Sequence, residues 1–102
     1  MLEKVKLALG ITGNFLDATI QIYIDEVVDY LLNAGVAESV IDQSVGIVVK
    51  GVSDLWNNGS GNSKLSPYFM QRAAQLVLRT KAEEARMNEL QTELNGRTQN
   101  SS

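Results

Sequence analysis

Few residues in this chain could do chemistry, and they are not arranged for it. The 102 residues include no cysteine and no histidine. That removes thiol nucleophiles, disulfides, Cys/His zinc sites and imidazole bases together. Asp25, Glu26 and Asp29 cluster and could in principle hold a hard cation, but the spaced loop of oxygen ligands that such a site needs is missing. They read as a solvated acidic face. Serines and threonines are present without a general base of the usual kind beside them. The run Asn57 to Ser63 (NNGSGNS) lacks the phosphate-loop spacing, and no strand precedes it. It reads as a mobile surface loop that could order on a partner. Trp56 reads as packing rather than as a platform for a base. No catalytic residue, cofactor or metal is expected.

The elements behind these residues are helical. From Leu16 to Leu32 the apolar residues Ile20, Ile24, Val27 and Leu31 recur with helical period and fall within about 60° of one another. Asp25, Glu26 and Asp29 lie on the other side. Asn14 is the expected N-cap, and Gly35 a left-handed stop with Val36 folding back. Leu2 to Leu9 predicts a short helix, with Leu2, Val5 and Leu9 on one side and Gly10 as its stop. A second stripe is Ile41, Val45, Val48, Val49, Val52, Leu55 and Trp56, beginning near Glu38 or Ser39. Its β-branched run Val45–Val49 leaves a strand as the alternative, and Gly46 and Gly51 suit close helix contact. Ser66-Pro67 opens a third helix whose face is Phe69, Ala73, Leu76, Val77 and Thr80. Past Lys81 only Met87, Leu90 and Leu94 keep an apolar spacing, Gly96 is the expected stop, and residues 97–102 read as a disordered tail. The expected fold is all-α: a small bundle of three principal helices plus a short N-terminal helix over residues 1–81, then a helix extension and flexible tail over 82–102.

Charge is unevenly placed. Leu7 to Val49 contains no lysine or arginine but carries Asp17, Asp25, Glu26, Asp29, Glu38 and Asp42. Lys64, Arg72, Arg79, Lys81 and Arg86 reverse the balance further on. Either the two halves offset each other within one molecule, or acidic and basic faces meet between copies. Ile22, among the acidic residues, and Ile47, opposite the second stripe, read as exposed apolar residues that favour an interface. Met87, Leu90 and Leu94 are either a frayed helix end or a partner-binding stripe. No signal peptide is expected from the N-terminal residues, and no apolar run reaches the roughly 18 residues of a membrane span.

The opening LEKVKLALGITGNFLDATIQIYIDEVVDYLLNAGV, the second helix after a short loop and the third beginning LSPYF together resemble the head–tail connector proteins of long-tailed bacteriophages. These are also called head-completion or adaptor proteins. The resemblance covers Met1 to about Lys81 and is nearest to the adaptor type that sits beneath the portal in phage SPP1. It implies a structural virion protein with no enzymatic activity, made in the host cytoplasm. It further implies a ring, typically of twelve copies, between the portal protein and the stopper protein, extending a channel through which DNA passes without sequence-specific binding. The free protein is expected to be a monomer, and no membrane is involved. The residues expected at partner contacts are Ile22, Asp25, Asp29, Ile47, Lys81, Arg86, Met87, Leu90 and Leu94. The alternatives are a cellular interaction module that docks through its C-terminal helix and, more weakly, a helix-turn-helix regulator.

Overall fold

The computed structural model describes residues 1–58 and 64–100, with side chains through Gly96. Its described residues form five helices and no strand: α1 (Leu2–Leu9), α2 (Asp17–Ala34), α3 (Glu38–Asp42), α4 (Val45–Asn58) and α5 (Pro67–Asn100). The loop expected at Asn57 to Ser63 falls mostly outside the described residues, and Asn57 and Asn58 close α4.

The helix stops follow the chemistry of their residues. Gly35 sits at φ 104°, a conformation that a side chain would strain. This lets its N–H reach Leu32 O at 3.1 Å and the N–H of Val36 reach Leu31 O at 3.0 Å. Val36 is thereby folded back into the core. Ser66 caps α5 as expected, its Oγ accepting from Phe69 N at 3.2 Å. Asn14 does not cap α2. That helix begins after Leu16 with no side-chain cap, and Asn14 contributes only its carbonyl, which accepts from Asp17 N at 3.3 Å.

Two expectations about the middle of the chain are corrected. The single helix expected from Glu38 or Ser39 is two helices, broken at Gln43 and Ser44. Ser44 Oγ donates to Val40 O at 2.7 Å, satisfying a carbonyl at the end of α3, while Ser44 O accepts from Ile47 N at 3.1 Å to open α4. The hydroxyl thus competes with continued helix pairing. Ile47 is not exposed: it retains 6% of its surface and belongs to the core. The reason is α4's central position, packed against α1, α2, α3 and α5. A helix surrounded in this way buries more than the single stripe that periodicity identifies. Val45 to Val49 are helical, so the strand alternative fails.

At the crossing of α2, α4 and α5 stands Gly51. A Cβ there would lie 2.8 Å from Phe69 Cε2 and 2.8 Å from both Val27 Cγ atoms, so the three helices approach too closely for any side chain. Gly46, by contrast, has open space around it.

Polar side chains tie the bundle at three places. Lys6, 5% exposed, donates to Gly13 O at 2.6 Å and sits 2.7 Å from Asp17 Oδ1, so α1 holds the loop before α2. Asp54, also 5% exposed, accepts from Ser66 N at 3.0 Å and pairs with Lys50 at 3.0 Å, fixing the start of α5 to α4. Thr80 Oγ1 accepts from Ala37 N at 3.0 Å, fixing the far end of the packed part of α5 to the start of α3.

Beyond Thr80 the helix leaves the bundle. Residues Lys81 to Asn95 are all exposed, and the molecule measures 62 × 28 × 17 Å. Gly96 does not stop α5, which runs to Asn100, so residues 97–100 are helical rather than the expected tail. A glycine inside a helix costs only about 1 kcal/mol, and termination needs the left-handed turn seen at Gly35. Gly96 does not adopt it.

Candidate functional site

Among the described residues no catalytic constellation is assembled. Among the described residues no group of Asp, Glu, His or Cys side chains could hold a metal ion, and no helix is long and apolar enough to cross a membrane. What the fold does build is surface, sorted by the two flanks of α5. Its core edge is Phe69, Ala73, Leu76 and Thr80. At 100° per residue Met70, Ala74, Val77 and Leu78 then fall on one flank, and Tyr68, Arg72, Gln75 and Arg79 on the other.

The first flank forms an apolar trough with α2. Tyr30, Ala34, Met70, Ala73, Ala74, Val77 and Leu78 line an open depression of about 410 Å³. Tyr30 is held there from two sides. Its hydroxyl donates to Met70 Sδ at 2.8 Å, and its ring lies 5.7 Å from that of Phe69. Tyr30 and Ala34 also border a second depression with Glu26, Asp29 and Asn33, so apolar trough and acidic rim are continuous. The second flank faces α3 and α4. There Gln43, Ser44, Gly46, Ile47, Tyr68, Arg72, Leu76 and Arg79 line a depression of about 400 Å³. Arg79 donates to Gln43 and pairs with Glu83 at 3.3 Å, and Arg72 donates to Gln75 at 2.8 Å.

The expected contact residues divide into groups. Ile22, Asp25 and Asp29 share the outer face of α2, with Ile22 at 63% exposure. Asp25 accepts from Gln21 at 2.8 Å and Asp29 from Asn33 at 3.4 Å, both within α2. Lys6–Asp17 joins α1 to α2, while Lys50–Asp54 and Arg79–Glu83 each stay within one helix, so none of these three ion pairs binds the acidic face to the basic helix. Met87, Leu90 and Leu94 form an exposed stripe on the extension, where Lys81 and Arg86 are exposed too. Met87 also borders a shallow depression with Ala37, Thr80 and Glu83. Ile47 is buried and borders the depression between α4 and α5, so it joins neither group.

Sequence reasoning missed the trough and two of the most exposed apolar side chains, Phe15 at 97% and Leu7 at 83%. A signal for Phe15 existed: an aromatic residue in a turn-rich run, Gly13-Asn14-Phe15, where nothing in the helix pattern calls for one. The trough has no such signal. It arises from residues forty apart in the chain, exemplified by the Tyr30–Met70 bond.

Across residues 1–102 the sequence matches the family described as phage gp6-like head-tail connector protein. The chain belongs to that family. No curated protein and no solved structure matches it. It is therefore a structural component of the phage head–tail connector and not an enzyme.

Proposed function

We propose that this connector protein acts as a ring-forming adaptor between the portal and the stopper or tail, extending the DNA channel once packaging is complete. The observation that carries this reading is the two-sidedness of α5: an apolar trough with an acidic rim on one flank, a basic depression on the other. A closed ring of identical copies needs two different faces that complement each other. The acidic outer face of α2 and the flank bearing Arg72 and Arg79 are such a pair. A net charge of −3 also suits a channel wall, because clusters of lysine and arginine would grip passing DNA through its phosphates.

The test is assembly. The free protein is expected to sediment as a monomer at micromolar concentration, because its core is closed by Thr80, and to form a ring only on the portal. Ile22→Asp is the informative variant. The side chain is exposed, so the thermal midpoint should hold steady, within about 0.5 kcal/mol of stability. Incorporation into virions should nevertheless fall, because the apolar burial of Ile22 at the ring contact is lost and a hydrated carboxylate must be desolvated in its place. Virions that lack a ring of this protein, or that incorporate Ile22→Asp normally, would reject the reading.

A further inference from the structure

We infer that Phe15 is the apolar anchor of the contact between neighbouring copies, seated in the Tyr30–Met70–Leu78 trough of the next molecule. The inference rests on the ring reading and names the residues that make one of its contacts.

Phe15 is presented, not merely left outside. The loop that carries it is held by Lys6, which is 5% exposed and donates to Gly13 O at 2.6 Å while facing Asp17 Oδ1 at 2.7 Å. Burying a lysine is costly unless its donors are matched, so this loop is fixed at both ends by a specific arrangement. Its outcome is an aromatic ring with 97% of its surface in water. Leu7, at the end of α1, adds a second exposed apolar side chain at 83%. Rigid aromatic side chains on a fixed loop have the character of interface anchors.

The trough is the matching feature, and Phe15 of its own molecule cannot reach it. Phe15 precedes the start of α2, whereas Tyr30 and Ala34 lie near its end. At 1.5 Å per residue, Leu16 and Tyr30 are separated by about 21 Å along the helix axis. Knob and trough therefore stand at opposite ends of α2, which is a head-to-tail arrangement. Charge points the same way. Ahead of Lys50 the chain has only Lys4 and Lys6 as cations, and Lys6 is buried. Lys4 is exposed on α1, the helix that Lys6 fastens to the start of α2. The trough's rim holds Asp29. The end of a neighbour that carries Phe15 thus offers apolar surface for the trough and, on α1, a cation for its acidic edge.

The experiment places the photoreactive aromatic p-benzoylphenylalanine at position 15 and irradiates assembled virions. The expected products are dimers and higher multiples of this chain, with the crosslink mapped by mass spectrometry to the segments around Tyr30–Ala34 or Met70–Leu78. Capture of a different virion protein, or no capture while the particles hold a full complement of the protein, overturns the inference. A second arm uses Phe15→Ala, which should leave the thermal midpoint unchanged and lower incorporation into virions at least tenfold. Normal incorporation of Phe15→Ala also overturns it. Wild-type virions with a ring but no such crosslink would leave the ring reading standing and remove this contact alone. Wild-type virions without a ring would remove the reading itself.

Discussion

The two halves of α5 obey different rules. Between Pro67 and Thr80 the helix is pinned: Asp54 holds its first turn, Gly51 admits Phe69 to the centre of the bundle, and Ala37 is tied to Thr80. From Lys81 onward the same helix carries Met87, Leu90 and Leu94 at 64%, 43% and 55% exposure. Yet the stripe does not change direction. Counted at 100° per residue, Met87 and Leu94 fall in line with Phe69, Ala73, Leu76 and Thr80, and Leu90 lies about 60° to one side. The core face runs past the edge of the bundle. One sequence pattern therefore serves two purposes, and only the presence of a packing partner tells them apart.

The sharpest way to break this comparison is to truncate one apolar residue in each half. Phe69 is fully buried against Tyr30 and beneath Gly51. Phe69→Ala should cost about 3–5 kcal/mol, since it leaves a cavity the neighbouring helices cannot close. Leu90→Ala on the extension should cost less than about 0.5 kcal/mol. Urea unfolding of both full-length variants measures the pair. Equal losses would mean that the extension is packed on the bundle in solution.

A smaller effect sharpens the boundary. Asp54→Ala removes the acceptor for Ser66 N at the start of α5 and the partner of Lys50, and should cost about 1–3 kcal/mol. Burial pushes the Asp54 carboxyl up, but the hydrogen bonds from Ser66 and the Lys50 ammonium outweigh it, leaving the group below its ordinary value. The unfolded chain, at about 3.9, then takes up the proton first as pH falls. The contribution is fully present above that value and is lost as pH drops through the folded pKa. The gap between wild type and Asp54→Ala should accordingly narrow below about pH 4 when unfolding curves are compared across pH. A gap that stays constant to lower pH would show that the charge of Asp54 contributes nothing.

The same contrast explains what was legible in the sequence. The stripes of α2 and of α5 up to Thr80 could be read directly, because each faces one side, and Gly35 and Ser66-Pro67 announce their own geometry. The α4 stripe misled at Ile47 because the period gives one buried face, whereas a helix at the centre of a bundle has several. The break at Ser44 was hidden because a serine hydroxyl turning back on Val40 O leaves no trace in the hydrophobic pattern. The exposure of Ile22, Met87, Leu90 and Leu94 was readable, because each is an apolar residue out of place in its helix pattern. The trough was not, since it exists only where Tyr30 and Met70 meet.

The smallest expected effect on stability comes from removing the extension entirely. A chain ending at Lys81 keeps Phe69, Ala73, Leu76 and Thr80, and every described side chain it loses, through Asn95, is exposed, so its cooperative transition should shift by no more than about 0.5 kcal/mol. The segment has good helix formers, but a helix of this length without packing is marginal in water. We therefore propose that residues 82–95 fray in the free protein and become ordered on assembly. Ordering them costs roughly 1 kcal/mol or more per residue. The portal or an adjoining copy must offset that by covering Met87, Leu90 and Leu94, with Lys81 and Arg86 set to meet acidic groups. Amide exchange in the free protein should show protection through Thr80 and little beyond it. In infection the truncated chain should fold and still fail to join heads to tails, giving heads that lose their DNA. Strong protection through Leu94 in the free monomer would mean that the helix stands without a partner. Full complementation by the truncated gene would mean that the stripe has no partner to meet, and the continuity of the core face past Thr80 would then be without consequence.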